Sequence, residues 1–201
     1  VELNSMRIAI LAAFAVCLQA GCDRAAEPAS EPVPATEPAP ATVAAPATAS
    51  AATAVTAPNG KFDAISNTAM GITGDLAAAD GGFAFSQGQA YSLAGAGEVK
   101  AADPYATTGA SFSSLINIPD AAELRLFRVI KEDPAKARNG GLCGADPATF
   151  IVTHEGVDST GGPALFLLAF KGAAPPSSTS PETDLCGTFM YAPAAGGPAT
   201  K

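Results

Sequence analysis

A single histidine, His154, stands in the sequence, and the string "HEGVD" places it beside two carboxylates, Glu155 and Asp158. A zinc-binding H-E-x-x-H helix needs a second imidazole four places on, so that both rings share one face. Here Val157 and Asp158 stand where it would fall. One histidine supports neither a His-rich metal centre nor a two-histidine acid–base pair, and at a strand end it reads as a surface or half-buried side chain. Carboxylates are the remaining candidates for acid–base work: Glu155 with Asp158, or Asp63 with Asp75, would flank a substrate if the fold brought them together. Fourteen acids in residues 59–201 give many accidental pairs, which favours a solvated surface. No G-x-S-x-G, S-x-x-K or P-loop string occurs, and "NGGLCGAD" matches a calcium-binding G-G-x-G-x-D repeat once, with altered spacing, as a turn would. The expectation is a protein that is not an enzyme, with no catalytic residues, cofactor or metal.

The four cysteines carry more information. Met6-Arg7 precede "IAILAAFAVCL", residues 8–18, which contain no charge. The run falls short of the ~20 residues of a spanning helix and fits the roughly 7–15 of a signal-peptide core. Residues 1–21 therefore read as a signal peptide, and export follows. The string "LQAGC" that ends this segment resembles the bacterial lipobox, in which small residues precede a cysteine that receives diacylglycerol before cleavage just upstream of it. Ala20, Gly21 and Cys22 match; Gln19 departs, because an aliphatic residue usually holds that place and Leu18 stands one position too early. The resemblance covers about twenty residues and implies lipidation at Cys22. Ordinary cleavage, leaving Cys22 an incidental thiol, is the alternative, but a cut after Ala20 would put bulky Leu18 at a small-residue position. In bacteria of the enteric type an Asp after the lipidated cysteine, here Asp23, accompanies inner-membrane retention; inner versus outer membrane is left open.

Cysteine parity links this anchor to the rest of the chain. Cys17 leaves with the signal, so Cys22, Cys143 and Cys186 form an odd set in an oxidising compartment. Acylation of Cys22 frees Cys143 and Cys186 to pair, in matching contexts Leu142-Cys143-Gly144 and Leu185-Cys186-Gly187. A redox-active pair is disfavoured, since no C-x-x-C is present.

Residues 22–58 comprise the lipidated cysteine and an Ala/Pro/Thr/Glu linker. Residues 23–58 include seven Pro and carry one Arg against four acids. Proline removes donors and nothing large and apolar offsets the entropy of ordering, so a disordered or polyproline-like tether is expected. Such a tether averages roughly 35 Å as a coil and approaches about 110 Å when extended.

The domain, residues 59–201, divides into short apolar pieces separated by Gly and Pro. "TAMGITGDL" leads through "AAADGG" into "FAFSQGQAYSL", with Asp80-Gly81-Gly82 as a tight hairpin turn. "ATFIVTHEG" and "ALFLLAFKG" flank "VDSTGGP" as a second hairpin, and "LCGTFMYAP" alternates Leu185, Gly187, Phe189 and Tyr191 on one face. These patterns predict a mainly β fold, a small antiparallel barrel or sandwich with one disulfide. Residues 120–132 resist. Asp120 and Glu123 have the spacing of a helix N-cap and its third-position acid. As a strand, Leu124 and Leu126 alternate, but Phe127 and Val129 then point the other way and call for a bulge. A bulged strand is favoured over one short helix. The strings "NGGLCG" and "LCGTFMY" resemble those of exported proteins of Gram-negative bacteria, which implies a paired-cysteine β domain over roughly residues 62–191 and no activity.

Net charge is −8 with no basic cluster, so nucleic acid is not an expected partner. The expected role is non-catalytic binding or structure at the cell envelope, with contact to the membrane through a lipid anchor, a face toward the periplasm and a candidate envelope protein partner. "SQGQAY", residues 86–91, resembles the S-G-x-x-Y motif of membrane-bound lysozyme inhibitors, although Gln87 interrupts the spacing. It implies an alternative, inhibition of a basic cell-wall hydrolase. A periplasmic carboxylate-dependent hydrolase is the other.

Overall fold

Eight antiparallel strands follow one another around a closed barrel in the computed structural model, which describes residues 55–195. They are β1 (Gly60–Ala64), β2 (Leu76–Ala79), β3 (Gly82–Phe85), β4 (Ala90–Lys100), β5 (Glu123–Asp133), β6 (Phe150–Val157), β7 (Pro163–Phe170) and β8 (Leu185–Pro193), with β8 bonded back to β1. The expected signal peptide, Cys22 and tether residues 23–54 lie outside the described residues. Closure leaves the sheet without an end strand, although beyond its short hairpin with β3 the 94–100 part of β4 pairs only with β5. Asp80 and Gly81 adopt φ of 51° and 74°, the left-handed pair that a two-residue hairpin requires. The second hairpin turns through residues 158–162, where Asp158 Oδ1 accepts from Thr160 N and Gly162 N.

The interior is filled by side chains from alternating positions, among them Phe62, Phe83, Phe85, Ile151, Phe189 and Tyr191. A second apolar cluster lies on the outer face of β5, β6 and β7. There Leu124, Leu126, Phe150, Val152, Leu168 and Phe170 meet Tyr105 and Phe112 from the β4–β5 connection. This connection contains α1 (Phe112–Ile116), capped by Ser111, whose side chain accepts from Ser114 N. Burial on both faces explains the segment that sequence patterning could not resolve. Residues 123–133 form a strand; Leu126 and Phe127 are both buried because one faces outward under the connection and the other inward.

Three bulges adjust which side chains face in. The residue added to β4 is Ala96, between Gly95 and Gly97; the one added to β5 is the exposed Ile130. The third adds Cys186 to β8, so Ala169 pairs with Gly187 and Phe170 with Leu185. Leu185 consequently packs with the outer cluster rather than sharing the inner face of Phe189, a correction to simple alternation. Asp120 accepts a 2.6 Å bond from Ser113 Oγ instead of starting a helix.

At the end where β8 begins, the barrel is capped. "AMGIT" forms a π-type turn, Ala69–Thr73, rather than the expected strand. The carbonyls of Met70, Gly71 and Ile72 accept from the side-chain amides of Gln87, Asn139 and Gln89 at 2.8, 2.7 and 2.7 Å. These bonds satisfy groups that a free turn would expose. The expected disulfide is present: Cys143, in the β5–β6 loop, is bonded to Cys186 with their Cα atoms 4.9 Å apart. Beside it, Tyr91 Oη donates to Glu132 Oε1 at 2.8 Å and accepts from Leu142 N at 2.7 Å, while Glu132 Oε2 accepts from Ala148 N.

Burial raises the Tyr91 phenol above its usual 10.0, the Glu132 carboxylate adding to this against the Leu142 N–H; burial also raises Tyr191. Each folded phenol holds its proton more tightly than in the unfolded chain. Their contribution is therefore complete below the unfolded pKa of about 10 and is lost as pH rises above it. Urea midpoints should hold steady against these two groups up to about pH 10 and then fall. Replacing Tyr191 with Phe should make that alkaline slope shallower; an unchanged slope would show that the phenol is not the cause.

Candidate functional site

Of the carboxylates singled out in the sequence, Glu155 and Asp158 line different hollows. Glu155 faces the open end of the barrel, where Arg125 Nη1 donates to its Oε1 at 2.9 Å, and it lines a cavity of about 310 Å³ with Phe62, Leu165 and Pro193. Asp158 lies in the β6–β7 turn and lines a different hollow. Its carboxyl is held below the usual carboxylate range, chiefly by the Thr160 hydroxyl and then by backbone N–H groups. All of those side-chain bonds converge on Oδ1. Asp63 and Asp75 line one hollow with Lys61 and Ser86, and Asp75 Oδ1 accepts from Ala64 N at 3.0 Å.

His154 occupies the outer face of β6. Its Nδ1 lies 3.1 Å from the Glu123 carbonyl oxygen and its ring stacks at a tilt against Phe166, with centroids 6.1 Å apart. With Nδ1 protonated toward that carbonyl, Nε2 is left as an acceptor. His154, Asp158 and Ser159 all line one hollow. They do not form a nucleophilic relay, because the orienting partner of the imidazole is a backbone carbonyl and the turn bonds of Asp158 run to Thr160 and Gly162, not to His154.

That hollow, about 640 Å³, is the more extensive part of a groove on the outer wall. One bank runs from Ile116, the last residue of α1, to Ala122; the other is the end of β6 with Val157 and Asp158. Phe166 and Met190 form the floor, and a second hollow of about 220 Å³ continues from them past Leu115 and Thr188 to Ser66. Ile116, Asn117, Phe166 and Met190 line both. The bank is positioned by α1. Asn117 terminates it in the left-handed conformation, φ 54° and ψ 55°, with its N–H donating to Ser113 O. Tyr105, Phe112 and Phe170 fix it to the wall, with ring centroids 5.8 to 6.2 Å apart.

The groove offers apolar contact and a few polar groups at its edges, which suits binding more than bond-making. Its residues come from α1, the loop after it and three strands, so no string in the sequence marked them. The one local sign was "LINIP", residues 115–119, apolar but without strand alternation. The residues of "SQGQAY" serve the cap instead. Besides Gln87, Gln89 and Tyr91, Ser86 Oγ accepts from Asp75 N, and a Cβ on Gly88 would collide with the Lys136 carbonyl. Cys22 lies outside the described residues. No protein-family model, curated protein or solved structure matches this chain.

Proposed function

We propose that this chain is a lipid-anchored, non-catalytic binding protein of the bacterial cell envelope, presenting the outer-wall groove to a protein partner. The observation that carries the reading is the groove itself. The barrel interior is packed with aromatic side chains, and an apolar channel of two connected hollows remains open on the outside. Support for the location comes from the signal-like run, the lipobox resemblance at Cys22 and the Cys143–Cys186 bond, which suits an oxidising compartment. The tether would let the anchored barrel search the envelope away from the bilayer.

A photo-crosslinking residue at Val157, 62% exposed on the groove bank, tests this in living cells. Ile130, equally exposed outside the groove, is the control. A discrete adduct at Val157 that is absent at Ile130 and weakened by Cys22→Ser is the expected outcome. Identical adduct patterns at the two positions, or none at Val157, would remove the groove as the binding face.

A second reading has one specific observation behind it, that Asp63 and Asp75 line a single hollow. If the chain is a carboxylate-dependent hydrolase, Asp63→Asn should abolish its envelope phenotype without lowering Tm. Inhibition of a cell-wall hydrolase through "SQGQAY" has weaker support, since those side chains are engaged within the chain.

A further inference from the structure

The charge around the groove narrows the kind of partner, on the reading of the groove as a binding face. No lysine or arginine lines either hollow. The acid at one end, Asp158, takes its three side-chain bonds through Oδ1, which leaves Oδ2 outside that network. Its lowered pKa keeps the carboxylate ionised. Asp120 and Glu123, both exposed, add negative charge along the bank that ends in β5. The nearest cation in that strand, Arg125, is paired with Glu155 toward the barrel mouth. An apolar channel with a negative end and no positive one is complementary to an apolar segment that carries a positive charge beside it.

Backbone geometry restricts the segment further. The floor residue Phe166 lies in β7, paired with β6 on one side and β8 on the other, so a segment seated over it meets side chains rather than a strand edge. Two hollows joined at Phe166 and Met190 provide room for two apolar anchors. Asn117, exposed where the hollows meet, supplies an amide donor and acceptor suited to a peptide group. An acyl chain would leave that amide unused. The tether of this same chain bears a net charge of −3 over residues 23–58, one Arg against four acids, and is repelled by the acidic end. A second copy meets the same opposition, at net −8.

We infer that the groove binds a peptide segment of a partner protein that places two apolar side chains in the two hollows and a Lys or Arg against Asp158. Selection of a random dodecapeptide library on the chain from residue 22 onward, carrying Cys22→Ser, tests it. Enriched sequences should share two apolar residues followed or preceded by Lys or Arg, and should be lost on Val157→Arg, a change at an exposed position that leaves folding intact. Asp158→Asn, which retains Oδ1, should weaken a selected peptide by about threefold, with the difference shrinking at high salt. Enriched peptides with no basic preference, or with binding indifferent to Val157→Arg, would overturn the inference. So would an empty selection, tighter binding by a synthetic peptide of residues 33–44, or Val157-dependent retention on phosphatidylglycerol vesicles. A cellular cross-link at Val157 without basic preference among the peptides would sink this inference alone; absence of the cross-link would sink the underlying reading with it.

Discussion

Joint replacement of Cys143 and Cys186 by alanine is expected to lower stability by about 4 kcal/mol. The bond closes a loop with a sequence separation of 43, and the chain entropy that this crosslink removes from the unfolded state sets that figure. For a domain of this size the melting temperature should fall by roughly 10–15 °C. Alanine is the appropriate replacement because both sulfurs pack beside the interior cluster, where a serine hydroxyl would add a desolvation cost of its own. Reduction of the wild type should reproduce the shift. Thermal melts of the oxidised, reduced and double-alanine forms provide the check: a fall under about 3 °C in either altered form would show that the cap, with its Gln89–Gly140 and Asn139–Gly71 bonds, holds without the disulfide.

The same pair of cysteines shows what was legible in the sequence and what was not. Parity and matching contexts identified the partners. The bulge that brings Cys186 into place was invisible, since it depends on Phe170 requiring Leu185 on the outer face. Hairpins were readable wherever turn chemistry was local, as at Asp80-Gly81 and in the turn held by Asp158. Strand β5 is the bulged strand expected, with its bulge at Ile130; its pattern was hard to read because alternation reports one buried face, and here the connection bearing α1 buries the other. The π-type turn at Ala69–Thr73 misled because its carbonyls are satisfied by amides 17 or more residues away, which no local pattern encodes. The groove was the least legible feature of all. Its floor residues, Phe166 and Met190, read as ordinary strand positions, and only the folded connection turns the wall above them into a channel.

That dependence makes Phe112→Ala the most informative single substitution. Phe112 is 1% exposed and joins α1 to the outer wall through Tyr105 and Phe170. Removing a buried phenyl group of this kind costs about 3–5 kcal/mol, from lost transfer energy and the cavity that remains. Phe189→Ala, inside the barrel, should cost a similar amount. The two variants should differ in what fails first. Loss of Phe189 weakens the barrel as a whole, whereas loss of Phe112 frees residues 101–122, so amide exchange should accelerate there well before β6 and β7 are affected. With the bank displaced, adduct formation at Val157 should disappear while the barrel still melts cooperatively. If instead Phe112→Ala costs less than about 1 kcal/mol and Val157 still forms its adduct, the connection does not build the groove, and the strands alone must hold whatever binds there.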